Sequence, residues 1–252
     1  MSFNLALILT VLTLFSGIVV LINRFVWKLP QDAKGGGRET LVEYSRSFFP
    51  VLLLVLVLRS FVFEPFRIPS GSMMPTLLQG DFIFVKKYSY GLRLPVVETK
   101  IVATGEPERG DVVVFRLPAS PNINYIKRIV GLPGDTVEYR NHQLTINGEL
   151  VELRKAADHR VNAPRYIEQL GEDSHDIYIH SPRNRNGEGT YVVPDGQYFV
   201  MGDNRDRSKD SRFLDDVGFI PETHLVGEAS RIWLHLDGFS APRWERIGMK
   251  IE

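Results

Sequence analysis

The sequence predicts a mainly β protein carried behind two N-terminal transmembrane helices: an all-β core with a second β subdomain inserted into it. Three observations lead there. Residues 3–22 contain no charged side chain, and at about 1.5 Å of rise per residue such a run spans a hydrocarbon layer of ~30 Å. A second apolar run covers residues 48–63 and carries Arg59 near its end, where a guanidinium can snorkel to the interface. From residue 80 onward, short runs rich in Val, Ile, Phe and Tyr, bounded by Gly, Pro, Asn or Asp, replace helical periodicity.

The first run is expected to stay attached. A cleaved secretory signal needs a basic start and a small-residue exit, whereas residues 1–22 hold no Lys or Arg and bulky Asn23-Arg24-Phe25-Val26-Trp27 follows. Between the two runs, Arg24, Lys28, Lys34, Arg38 and Arg46 outnumber Asp32, Glu39 and Glu43, so the positive-inside bias puts this loop in the cytoplasm and both chain ends outside. Residues 31–38, with three consecutive glycines, read as a flexible linker. The expected organisation is a transmembrane helix over 1–22, a cytoplasmic loop over 23–46 and a second transmembrane helix over 47–63. A β core from 64–131 and 197–252 follows, with the inserted β subdomain at 132–196.

Within the β part, residues 81–86, 111–116 and 125–130 read as strands. Residues 136–152 read as strand, turn and strand, then Asn147-Gly148 and a further strand, since Asn-Gly between alternating residues is the strongest short hairpin signal. Residues 153–190 read as charged and irregular, with a turn at Asn184-Arg185-Asn186-Gly187, and strand character returns at 197–201 and 226–234.

Composition excludes several classes of function. There is no cysteine, hence no disulfide, thiolate nucleophile or cysteine metal site. Six of the 30 basic and three of the 30 acidic residues precede residue 64, so the outer part carries 24 against 27, about −3; nothing there attracts nucleic acid.

Three segments could carry chemistry. Ile68-Pro69-Ser70-Gly71-Ser72-Met73-Met74-Pro75-Thr76-Leu77 sets Ser72 in a constrained turn in apolar surroundings. Taken alone, Ser72 fits a structural turn as well as a nucleophile. The chain lacks the G-x-S-x-G, S-x-x-K, H-E-x-x-H and Walker A patterns. His142, His159, His175 and His180 lie in the polar inserted region and His224 and His235 flank a late strand, so all six read as ordinary surface or core histidines. Lysine remains as the candidate base. Strand alternation puts Tyr125, Lys127 and Ile129 on one face ahead of Gly131-Leu132-Pro133-Gly134, where Lys127 fits either a snorkelling edge lysine or a base made neutral by burial. The third segment is the charge-dense run from Gly202 to Arg212. It fits a solvated loop, or a bracket in which Ser208 orients a lysine and Asp210 pairs with Arg212.

Together, Ser70-Gly71-Ser72-Met73-Met74-Pro75-Thr76-Leu77, Gly110-Asp111-Val112-Val113-Val114-Phe115, the run from Tyr125 to Asp135 and the run from Gly202 to Arg212 resemble, in order, the conserved boxes of the bacterial type I signal peptidases. With two anchors ahead of them, the resemblance covers essentially the whole chain. It implies a membrane serine endopeptidase that removes signal sequences from exported preproteins by cutting after small residues at −1 and −3. Ser72 would be the nucleophile and Lys127 the base. Ser70 would join the Ser72 N–H as oxyanion donor, Ser208 would orient Lys127, and Asp203, Arg128, Asp210 and Arg212 would brace the site. Phe66, Ile68, Pro69, Met73, Leu77, Ile83, Val114, Tyr125 and Ile126 would shape the substrate pockets. No metal or cofactor is implied. The partners are preprotein signal sequences and membrane lipid, at the bacterial inner membrane with the catalytic part on the periplasmic side.

Two departures bear on the bracket's outer edge: Arg207 stands where enterobacterial forms usually have Asn, and residues 213–217 look longer than usual. The disulfide of some relatives is absent. Two other readings compete: a self-cleaving repressor-type Ser/Lys protease, which would need a DNA-binding domain where two spans stand here, and a membrane-anchored β-rich binding module in which Ser72 and Lys127 are structural.

Overall fold

A computed structural model describes residues 5–30, 35–94, 99–156, 164–171, 173–181, 183–236, 238 and 241–251. The first residues of the expected first span, half of the expected linker (31–34), and His159 lie outside them.

Helix α1 (Leu5–Ile22) follows the uncharged run and continues as a π-helical turn to Trp27. Asn23 closes it: its carbonyl accepts the Lys28 N–H and its Oδ1 the Leu29 N–H, satisfying groups that a helix end leaves without intrahelical partners. Helix α2 (Gly37–Val57) ends in a π turn to Val62 and starts ten residues ahead of the expected second span. This corrects the linker reading, because Gly36 caps the helix and Gly37 opens it. Glu39 in the first turn suits the positive end of the helix dipole, and Arg38 and Arg46 are thereby helical rather than in a loop. Both helices are long and apolar enough to cross a membrane. Thr13, Ser16, Val19, Val42 and Ser45 are buried within this helical unit.

The strands are β1 (Phe63–Arg67), β2 (Asp81–Lys86), β3 (Leu92–Arg93), β4 (Lys100–Val102), β5 (Val112–Leu117), β6 (Ser120–Gly131), β7 (Thr136–Arg140), β8 (Gln143–Ile146), β9 (Glu149–Leu150), β10 (Leu153–Lys155), β11 (Arg165–Leu170), β12 (Asp173–Tyr178), β13 (Gly189–Val192), β14 (Gln197–Met201), β15 (Ile220–Pro221) and β16 (Leu225–His235). The main sheet runs β1-β2-β16-β5-β6-β14-β15. Residues 132–196 hold two smaller sheets, β13-β7-β8-β9 and β10-β11-β12. The β3–β4 hairpin groups with the helices rather than with the β core: the compact units are residues up to 64 with 91–104, and residues 65–90 with 105–252.

Alternation explains most of these strands. In β2, Asp81, Ile83 and Val85 point inward while Phe82, Phe84 and Lys86 do not. β5 is a central strand whose Val112-Val113-Val114-Phe115 run is buried throughout. Asn147 and Gly148 take φ of 53° and 85° between β8 and β9, the left-handed pair a two-residue hairpin turn demands. The expected irregularity of 153–190 is overturned. β10, β11 and β12 pair in register there, and their apolar alternation is masked because buried Glu168 and His175 face inward as partners of other charges.

Three apolar clusters fill the β unit. The first, built from Ile68, Met73, Leu77, Ile83, Val85, Val112, Val114, Ile126, Ala229, Ile232 and Ile251, lies under the loop that carries Ser72.

Candidate active site

Ser72 stands in the loop between β1 and β2. Met73 and Leu77, four residues apart and joined by the Leu77 N–H to Met73 carbonyl bond, sink without exposed surface into the first cluster, which leaves Ser72 half-buried at its rim. The loop is fastened from several sides. Asn204 donates from its backbone to the Ser72 carbonyl at 3.0 Å, and from Nδ2 to the Gly71 carbonyl at 2.8 Å. Thr76 Oγ1 donates to Asp203, Arg246 donates to the Thr76 carbonyl at 3.1 Å, and Leu78 N–H donates to Asp81 at 2.7 Å. Asp81 is itself held by Arg246 and His235.

Lys127 comes from β6, paired with Val113 of β5. Its side chain crosses to the loop, so that Nζ lies 2.8 Å from Ser72 Oγ and 2.8 Å from the Ile126 carbonyl. Lys127 is 3% exposed. Burial pushes its amine from the ordinary 10.5 down to about 8; Asp210 and Asp203 pull the other way and Arg212 adds to the fall. The Tyr125 ring sits 5.3 Å from Nζ, on the face the alternation assigns to both.

Two buried ion pairs frame the amine. Arg128 meets Asp203 through Nε at 3.0 Å and Nη2 at 2.8 Å, and donates Nη1 to the Gly110 carbonyl. Arg212 meets Asp210 at 2.8 and 2.9 Å, and Asp210 accepts the Gly202 N–H. Burial pushes both carboxyls up, but their arginines outweigh it and hold them below the usual carboxylate range.

Not every expected residue falls where the sequence puts it. Ser70 is exposed, with Oγ 3.5 Å from Ser72 Oγ. Ser208 is buried beside Gly202 and Asp210 without a well-formed hydrogen bond, and Lys127 donates to the Ile126 carbonyl of its own strand rather than to Ser208. The expected pocket residues separate into groups. Ile68, Met73, Leu77, Ile83, Val114 and Ile126 are sealed in the first cluster with Phe66 at its margin, Pro69 is exposed, and Tyr125 packs on the third cluster. Among the described residues no histidine bonds Ser72; His235 serves Asp81, His175 faces Glu168 and Asp203, and His180 faces Asn204. The sequence reading assigned nothing to Asn204. Its signal was its place in the run from Gly202, where an amide amid charges has no ion-pair use.

A hydroxyl touching a buried amine is the arrangement a Ser/Lys hydrolase requires. The family model described as signal peptidase, peptidase S26, matches residues 41–234. The chain belongs to the signal peptidase family. It is a serine peptidase, a hydrolase, in a family named for the removal of signal peptides. A signal peptidase I of Pseudomonas fluorescens is 50% identical over 229 residues, covering 83% of this chain and 79% of the relative. One from Pseudomonas aeruginosa is 48% identical over 224 residues with the same coverage. A solved signal peptidase I from Enterococcus faecalis, 29% identical and covering 50% of this chain and 98% of its own, gives a TM-score of 0.31, too low to bear on the fold. The two apolar helices suit a membrane-associated signal peptidase.

The depressed amine makes a stability prediction. Below pH 8 Lys127 is charged in both states and the folded chain bears the full burial penalty; between 8 and 10.5 the penalty fades as the folded amine is already neutral. Lys127→Met should therefore be more stable than the parent at pH 7 by about 3 kcal/mol in denaturant unfolding, with a gain that shrinks as pH rises toward 10. A gain independent of pH would contradict the shift. Gly202 makes a second prediction. A Cβ there would lie 2.2 Å from Ser208 Oγ and 2.6 Å from the Ser72 carbonyl, so Gly202→Ala must push the serine loop and should lower turnover by on the order of 10²-fold. Wild-type turnover in a peptide assay would show that the loop yields freely.

Proposed function

We propose that this signal peptidase cleaves exported preproteins through a Ser72/Lys127 dyad, cutting after small residues at −1 and −3, on the outer face of a membrane that its two helices cross. The observation that carries the reading is the 2.8 Å approach of Lys127 Nζ to Ser72 Oγ in a site dry enough to hold that amine near 8.

A neutral amine has two N–H donors and one lone pair. With one N–H on the Ile126 carbonyl, the lone pair is available to the Ser72 hydroxyl. The hydroxyl proton passes to Nζ as Oγ bonds the −1 carbonyl carbon. The oxyanion is received by the Ser72 N–H and by Ser70 Oγ, whose exposed position lets it turn toward the substrate. Lys127 then gives its proton to the leaving amine as the C–N bond breaks. In the second half water loses a proton to Nζ and attacks the ester, and Ser72 regains its proton as the acyl group leaves.

The pairs Arg128–Asp203 and Arg212–Asp210 brace this geometry. The sealed cluster of Ile68, Met73, Leu77, Ile83, Val114 and Ile126 acts as a closed floor with no depth for large side chains, with Phe66, Pro69 and Tyr125 at its edges. That supports a preference for small residues. For orientation, Arg24, Lys28, Arg38 and Arg46, which lie between the apolar stretches of the two helices, favour a cytoplasmic hairpin turn and a β unit outside.

Ser72→Ala should abolish cleavage of an Ala-x-Ala preprotein while leaving the melting temperature nearly unchanged, read by mass spectrometry of the new N-terminus. Lys127→Arg should be equally inactive, since a guanidinium stays protonated. Cleavage at the parental rate by either variant refutes the dyad. A reporter inserted after Gly36 should report cytoplasm and one at the C-terminus the opposite compartment; the reversed pattern refutes the orientation.

A further inference from the structure

We infer that Asn204 is a positioning residue for the oxyanion donor: it holds the peptide plane that aims the Ser72 N–H. The inference rests on the reading of Ser72 as nucleophile. Asn204 is 3% exposed and grips the nucleophile on both sides. Its backbone N–H donates to the Ser72 carbonyl at 3.0 Å, and its Nδ2 donates to the Gly71 carbonyl at 2.8 Å. The Gly71 carbonyl and the Ser72 N–H belong to one planar trans peptide group, so they point in opposite directions. Drawing the carbonyl toward Asn204 therefore turns the N–H away from it. Among the described residues nothing accepts that N–H. The Gly71 carbonyl has one other partner, the Met74 N–H of its own turn, at a longer 3.2 Å.

A second contact sets which way the amide faces. Asn204 Oδ1 lies 2.8 Å from His180 Nε2. An amide oxygen only accepts, and the Gly71 carbonyl needs a donor, so Nδ2 must face Gly71 and His180 Nε2 must carry a proton toward Oδ1. Turning the amide over would set two acceptors against each other at Gly71. The register is fixed by the backbone as well: Tyr178 N–H donates to the Asp203 carbonyl at 2.9 Å and Tyr178 bridges Asn204. His180 follows β12, so the inserted β region reaches the nucleophile through this amide. The role costs no charge beside Lys127, unlike the ion pairs nearby.

The test uses the purified full-length chain in detergent and an internally quenched peptide carrying Ala-x-Ala before the scissile bond. Asn204→Leu, similar in size and unable to donate, should lower kcat by on the order of 10- to 10²-fold. KM and the apparent pKa of kcat/KM should stay at parental values, because binding and Lys127 are untouched, and the melting temperature should fall only modestly, as two buried groups lose a partner. Asn204→Ala should behave alike. His180→Ala should cause a smaller fall in kcat, and His180→Gln, which can present an N–H where Nε2 stands, should restore it. Parental kcat in Asn204→Leu overturns the inference, as does a loss expressed in KM or in a shifted pH profile. The underlying reading fails separately: Ser72→Ala that still cleaves refutes it, whereas inactive Ser72→Ala beside fully active Asn204→Leu refutes the positioning role alone.

Discussion

Keeping water away from one amine is the constraint on which the rest of the β unit depends. Lys127 sits on an interior strand beneath the loop that carries Ser72, and desolvation outweighs every charge near it. Asp210 and Asp203 favour an ammonium and Arg212 offsets part of that pull, but burial wins over both carboxylates, each of which is also locked to its own arginine, Arg212 and Arg128. Buried ion pairs are a poor source of stability, since desolvation can exceed their attraction; here each gives a buried carboxylate beside the amine a fixed partner.

The same frame explains why the inserted region is built as it is. Glu168 of β11 forms a bidentate pair with Arg205, and His175 of β12 lies between Glu168 and Asp203. Burial, aided by Arg128, pushes His175 below its ordinary value, so it adds no charge to the cluster at neutral pH. The run from Gly202 to Arg212 is thus fastened on one side to β6 and the serine loop, and on the other to β11 and β12. The loop folds inward because Asp203 and Arg205 meet Arg128 and Glu168, which strands fix, and Asp210 meets Arg212 within the loop, while Arg207 and Lys209 stay exposed.

Much of this was legible in sequence, and the exceptions have physical causes. Strands whose faces alternate, such as β2, or that run apolar throughout, such as β5, can be read directly from residue type. Asn147-Gly148 declares its turn because few other pairs accept its dihedral angles. Ser72 and Lys127 were found by elimination of other bases and by resemblance, and the structure sets them within hydrogen-bond reach. Hidden were features that depend on partners distant in the chain. β11 and β12 look irregular because Glu168 and His175 occupy inward positions that only Arg205 and Asp203 make tolerable. The early start of α2 was hidden by three glycines that cap a helix as readily as they loosen a linker. Asn204 was invisible for a similar reason: its meaning lies in two carbonyls more than a hundred residues away.

The most direct measurement is the pH dependence of kcat/KM for a small peptide substrate, which reports the ionisation of the free enzyme's base. With Lys127 buried, kcat/KM should rise through a single apparent pKa near 8 and level off above it. A profile flat from pH 6 to 9, or one that rises only toward 10.5, would contradict a buried lysine as the group that takes the proton from Ser72.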